Sequence, residues 1–237
     1  MRNFVQIVLV AVALSTWFLW SAQAADLFEP HPYPAELKPY EGAPELLKMT
    51  PDEQALLKEG NAVLRQSETN ESGSGVAVQF IAAPASLIWD TILRYDQYKD
   101  WVKNVDECKV YRSVGNQLFV AMDLSFWWIN SKLYTVNTLD KTKGYMSWEL
   151  DRGRTSDVID LIGYWRIEEI STSPSLTRVE YATEMVVGRF PDFIVNFLTR
   201  DSLINGTEWV KERAEEEWRL REAVLKNDQK LKLKLKK

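Results

Sequence analysis

Three features of the chain point to an α+β domain built on an antiparallel sheet. A strand pattern, "GVAVQFIAA", runs straight into a proline-headed amphipathic segment, "PASLIWDTIL". From residue 105 to 187 one strand candidate follows another across short turn signals, with no long helix between them. A long helical pattern then begins at Phe190-Pro191. Short turns without crossover helices imply a meander with one buried face.

Taken in order, the chain opens on an address signal. Arg2 is the only charge before an apolar run from Phe4 to Trp20, which closes on Ala22-Gln23-Ala24, a small-x-small cleavage pattern. Residues 1–24 are therefore expected to be a secretory signal and the protein exported, periplasmic or secreted. The run also just reaches the length of an uncleaved membrane anchor, which is the alternative. Residues 25–49 form an extended leader, with five prolines between positions 26 and 48. Such a segment lies on the surface or spaces a domain from a membrane. The domain proper is expected over 50–222, followed by a basic tail over 223–237.

At "TPDEQALLKEG", Thr50 can cap a helix, Pro51 can take its first position, Glu53 can complete a capping box and Gly60 can end it. "NAVLRQSE" and "VAVQFIAA" read as two strands of a hairpin, with "TNESGSG" as its flexible turn. Pro84 presets the backbone for a helix's first turn. Behind it Leu87, Ile88, Thr91 and Ile92 share one face, with Trp89 at its edge. Tyr95 to Trp101 then turns a corner, offering aromatic mass to pack this helix on the sheet.

The meander's turns are expected at Gly115-Asn116, Asn130-Ser131, Lys143-Gly144, Gly153 and Pro174. Alternation places Leu118, Val120, Met122 and Leu124 on one face, with Met146, Trp148 and Leu150, and with Val179, Tyr181 and Met185. The closing helix carries an apolar stripe through Phe190, Phe193, Ile194, Phe197 and Leu198. Ser202, Asn205 and Gly206 interrupt it before Trp209 and Val210 restore it. Either the helix kinks there, or the gap leaves room for a ligand beneath it.

Composition removes several function classes. The chain carries a net charge of −5 with no basic face, which argues against nucleic acid as a partner. Cys108 is the only cysteine, so no internal disulfide or thiolate metal cage can form, and a buried inert thiol is expected. His31, the only histidine, sits in the proline-rich leader. Histidine triads and multi-histidine metal sites are thereby excluded from the folded body, and neither a metal nor a cofactor is expected.

The segment "IAAPASLIWDTILRYDQYKDWVKNVDECKV" resembles the opening of the polyketide cyclase/dehydrase and coenzyme Q-binding START-like superfamily (SRPBCC), through Ala83-Pro84, Trp89, Tyr95-Asp96, Tyr98 and Trp101. "GYWRIEEI" and "LTRVEYATEM" are similar to that family's late strands, with Gly163, Trp165, Arg178 and Tyr181 in place, and "FPDFIVNFLTRDSL" to the start of its closing helix. The resemblance spans about residues 60–222. It implies a helix-grip fold: a curved antiparallel sheet wrapped around a long C-terminal helix, with two short helices after the first sheet strand and an apolar cavity between the layers.

Such a cavity would hold about 300–1,000 Å³. Even the low end, left dry, would cost about 7 kcal/mol, so it should be occupied or partly collapsed. Expected wall residues are Met122, Trp128, Trp148, Trp165, Tyr181, Met185, Phe197 and Trp209, each of which plain core packing would also explain. The first functional expectation is non-catalytic binding of a lipid, isoprenoid or quinone-like molecule. A cyclase acting on a polyketide-like substrate is the second, with Arg152, Arg154, Asp123, Asp160 and Tyr181 as candidates. A scaffold whose groove takes a protein partner is the third. The lysine-rich end "QKLKLKLKK" reads as a solvated, disordered tail or as a weak membrane-surface contact.

Overall fold

Local chemistry sets the first element. In the computed structural model, which describes residues 29–69, 71–126, 129–187 and 202–235, helix α1 spans Pro51–Lys58. The Glu53 amide donates to Thr50 Oγ1 (3.3 Å) and the Thr50 amide donates to Glu53 Oε2 (2.8 Å), completing the capping box. Glu53 also receives both arms of Arg65 (2.9 and 2.6 Å), which ties α1 to the first strand and, with the cap, lowers its pKa to about 2.

Strands β1 (Val63–Glu68) and β2 (Ser72–Ile81) form the expected hairpin. The turn is shorter than expected, because Gly73, Ser74 and Gly75 belong to β2. Tertiary packing explains this. A Cβ at Gly75 would overlap the Leu203 side chain of the C-terminal helix, so the residue read as turn chemistry marks the place where helix crosses strand.

Pro84 stands just outside helix α2 (Ala85–Ile92), with φ −63° and ψ 144°. Leu87, Ile88, Thr91, Ile92 and also Trp89 are all buried, so the indole is core and not an edge. The Thr91 hydroxyl is satisfied by donating to the Leu87 carbonyl (2.9 Å). A 3₁₀ turn (Tyr95–Gln97) and helix α3 (Tyr98–Trp101) make the corner. Its aromatics divide between two layers: the Tyr95 hydroxyl meets Met146 Sδ of the sheet (3.5 Å), while Tyr98 and Trp101 pack on Trp209 of the C-terminal helix.

Six strands follow: β3 (Val105–Val114), β4 (Gln117–Phe126), β5 (Ile129–Asp140), β6 (Tyr145–Leu150), β7 (Asp160–Thr172) and β8 (Ser175–Val186). The sheet order is β1-β2-β8-β7-β6-β5-β4-β3, antiparallel throughout. Gly115 and Gly144 take positive φ in their turns, as expected there. Asn130 and Ser131 lie inside β5 and not in the turn expected there. Bulges in β3 and β7 add bend to the sheet.

Helix α4 (Ser202–Leu235) lies across β2 and β8 and against α2, burying Leu203, Val210 and Ala214. At 34 residues it is about 50 Å long, so its last turns pass beyond the sheet, with Leu220, Val224 and Leu225 exposed. The tail expected to be disordered continues this helix through Leu235. Among the described residues no helix is long and apolar enough to cross a membrane. The expected signal segment and the stripe from Phe190 to Leu198 lie outside the described residues.

The leader is held against the domain by buried groups. Residues 29–50 run as extended chain strapped to the outer face of β7 and β8, opposite α4. His31 is buried: its Nδ1 accepts from the Ser156 amide (3.3 Å) and its Nε2 donates to the Ile159 carbonyl (2.9 Å). The buried Asp160, paired with Arg152, accepts from the Glu36 and Leu37 amides (2.7 and 2.8 Å). Fully buried Glu180, paired with Arg178, accepts from the Leu47 amide (3.1 Å), and Arg178 donates to the Leu47 carbonyl (2.5 Å). Tyr40 stacks edge-on against Tyr164 between these anchors (5.0 Å).

Candidate functional site: an apolar cavity between sheet and helix

Strand alternation decides what faces α4. On β4 the inward set is Val120, Met122 and Leu124; on β5 it is Leu133, Thr135 and Asn137. Met146 and Trp148 come from β6, Leu161 and Trp165 from β7, and Tyr181, Thr183 and Met185 from β8. The corner adds Tyr95, Tyr98, Val102 and Lys103, and α4 adds Asn205, Gly206 and Trp209. These residues line a cavity of about 190 Å³.

Of the eight residues singled out from sequence, Met122, Trp148, Trp165, Tyr181, Met185 and Trp209 stand on this wall, while Trp128 and Phe197 lie outside the described residues. Tyr95, Tyr98, Lys103 and Asn205 were not singled out as wall residues. The inward pair Thr135 and Asn137 could have been found by carrying the alternation of β4 across its register with β5.

The middle of the site is filled by one aromatic stack. Trp148 lies over Gly163 of β7, its cross-strand partner, where any Cβ would overlap the indole. Tyr181 stacks on Trp148 (5.6 Å between ring centres, 26°) and tilts against Trp165 (4.6 Å). From the other side α4 closes on Tyr181 at Gly206, where a Cβ would sit 2.8 Å from the ring. The gap in the helical stripe is thus a point of close approach, and Asn205 and Gly206 both border the cavity while α4 stays helical through them. This stack explains why the volume falls below the expected range. Left dry, about 190 Å³ costs about 4–5 kcal/mol, a sizeable share of a domain's stability.

Burial raises the Tyr181 hydroxyl to about 12 and pushes Tyr95 and Tyr98 up as well, so all three are neutral at physiological pH. Tyr98 donates to the Ile92 carbonyl. The Asn137 amide donates to Thr135 Oγ1 (2.9 Å) and to the Leu118 carbonyl (3.3 Å). Among the described residues no carboxylate, histidine or thiol lines the cavity, and no acidic or histidine cluster could hold a metal. Cys108 is buried in the core, raised to about 12 by desolvation and then by Glu107, which makes it the inert thiol expected.

The candidates for catalysis do not converge. Arg152 and Asp160 belong to the leader strap. Asp123 pairs with Lys132 (3.4 Å), and Arg154 lies over the Tyr111 ring (4.2 Å). Tyr181 alone of the five reaches the cavity. The arrangement can take up an apolar body and orient it by a few amide and hydroxyl groups.

A family model described as polyketide cyclase / dehydrase and lipid transport matches residues 81–203. No curated protein matches the chain. Among solved structures, a protein of Thermus thermophilus superposes with a TM-score of 0.51 at 15% identity, covering 60% of this chain and 96% of its own. A STAR-related lipid transfer protein from Xanthomonas axonopodis (fragment 25–204) gives 0.51 at 13% identity, covering 65% and 92%. At these identities the likeness is one of fold, and it is the helix-grip fold of the START-like superfamily.

Proposed function

The chain belongs to the polyketide cyclase / dehydrase and lipid transport family, and from that premise we propose that it is a non-catalytic carrier of a hydrophobic ligand, a lipid, isoprenoid or quinone-like molecule. The observation that carries this reading is the wall itself. Aromatic and methionine side chains surround a space larger than the roughly 150 Å³ that lets an engineered apolar void take up benzene. Four of the five residues a cyclase reading relied on are engaged elsewhere, which favours binding over proton transfer. The Xanthomonas protein's description as a lipid transfer protein agrees with the reading. Export as a periplasmic or secreted protein is part of the proposal and is supported by the Phe4–Trp20 run and Ala22-Gln23-Ala24.

Extraction of the purified chain with organic solvent, followed by mass spectrometry, is expected to return an apolar molecule near one equivalent. Met122→Arg places a charge in the wall and should lower that yield at least about tenfold with the far-ultraviolet circular dichroism unchanged. An empty wild-type protein that also takes up no added lipid would refute the carrier.

Helix α4 suggests where such a carrier would collect its ligand. Five lysines lie between positions 229 and 237, of which Lys230, Lys232 and Lys234 are on the stretch of helix that passes beyond the sheet. Each is worth about 1 kcal/mol near an anionic bilayer. Deleting residues 229–237 should weaken sedimentation with phosphatidylserine-containing vesicles at low salt by about tenfold or more. Unchanged sedimentation would remove the tail from the function.

A further inference from the structure

We infer that the ligand is an anionic amphiphile, its apolar body between sheet and α4 and its carboxylate or phosphate head at the ammonium group of Lys103. The inference rests on the carrier reading of the same cavity and narrows it to a chemical class. Lys103 is the one charged residue on the described wall and the one exposed residue there. Every other described wall residue is apolar, or carries a neutral hydroxyl or amide. Among the described residues no carboxylate forms an ion pair with it, although the chain is acidic overall.

The backbone that carries this lysine is fixed. Val102 to Val105 is a tight turn closed by the Val105 amide on the Val102 carbonyl (3.3 Å). Asn104 takes a φ of 64° at the third position, a left-handed conformation that asparagine tolerates better than most residues. The Ser125 amide donates to the Asn104 carbonyl (3.0 Å), so the turn is tied to β4 and cannot swing away. The turn thus presents a lysine where an apolar space meets water. Low-dielectric walls concentrate its field there, and the geometry suits a ligand that buries its chain and leaves its charge at the rim. An uncharged guest gains no ion pair from this residue.

A plainer role for Lys103 is a methylene stem covering the wall while its ammonium stays in water. The two roles separate in a titration of the full chain, read by tryptophan emission, since Trp148, Trp165 and Trp209 all border the cavity. The probes are octanoate, octyl phosphate and 1-octanol, which share a chain and differ in head. At low ionic strength at least one of the two anions should bind about threefold or more tighter than octanol, and about 1 M salt should erase the advantage. Lys103→Gln should abolish the anion preference and leave octanol within about twofold of wild type. The tighter of the two anions identifies the head group.

Octanol binding as well as either anion, or Lys103→Gln weakening all three alike, would overturn the inference while the carrier reading stands. Failure of all three probes to bind would overturn the inference, and the carrier reading falls with it if the purified protein is also empty and takes up no added lipid.

Discussion

Arg178→Met is expected to lower the stability of the domain by about 3–5 kcal/mol, because it leaves the fully buried carboxylate of Glu180 without its cation. Burial already raises the Glu180 pKa, outweighing the opposing pull of Arg178 and of the Leu47 amide. With the guanidinium gone that shift grows. A carboxyl whose folded pKa is raised stabilises the fold while it is protonated, and loses that contribution as pH rises through the folded value. The deficit of the variant against wild type should therefore be larger at pH 8 than at pH 5. Denaturant unfolding at both values checks the sign. Adding Glu180→Gln removes the stranded charge and keeps an acceptor for the Leu47 amide, so the double variant should recover about half or more of the loss. A single variant as stable as wild type at pH 8 would mean that the strap does not depend on this pair.

Gly163→Val is expected to cost about 3 kcal/mol and to disturb the cavity at the same time. Strand propensity alone favours valine at this position by up to about 1 kcal/mol, so the expected sign runs against the local preference. The reason is contact: a Cβ at residue 163 would overlap the Trp148 indole and come within 2.5 Å of the Ala182 carbonyl. Trp148 must then leave its stack on Tyr181, which moves one wall of the site. Thermal unfolding gives the stability change, and near-ultraviolet circular dichroism reports the displaced aromatic stack. Trimming the ring with Trp148→Ala should recover only part of the cost, since the contact with the Ala182 carbonyl remains, and a double-mutant cycle measures that part directly. If valine stabilises the protein, the close approach is not what constrains this residue.

Both substitutions concern groups whose role a local reading of the chain misses. Arg178 and Gly163 stand inside strands that the alternation of residues identifies correctly, and the family resemblance includes both. Neither pattern nor resemblance says that Arg178 grips a leader residue more than a hundred positions away, or that Gly163 lies beneath an indole. In sequence the leader reads as a segment that lies on the surface or spaces the domain from a membrane, Asp160 as a catalytic candidate, and Glu180 is not singled out, yet both carboxylates are buried. Their burial arises because strap and sheet cover one another, which removes from water groups that a single strand would expose.

The inward face was open to a linear reading. Met122, Trp148, Tyr181 and Met185 occupy positions that a two-residue period sends to one side, and the capping box of α1 and the proline before α2 are written in adjacent residues. Secondary structure and side-chain facing follow from neighbours within a few positions of each other, so one dimension suffices to specify them. The size of the cavity, the seats of Gly75, Gly163 and Gly206, and the placing of Lys103 at the rim came only from the folded chain. Each is set by how closely two distant backbones approach, and that distance depends on the summed volumes of side chains from both layers, which no local stretch of residues contains.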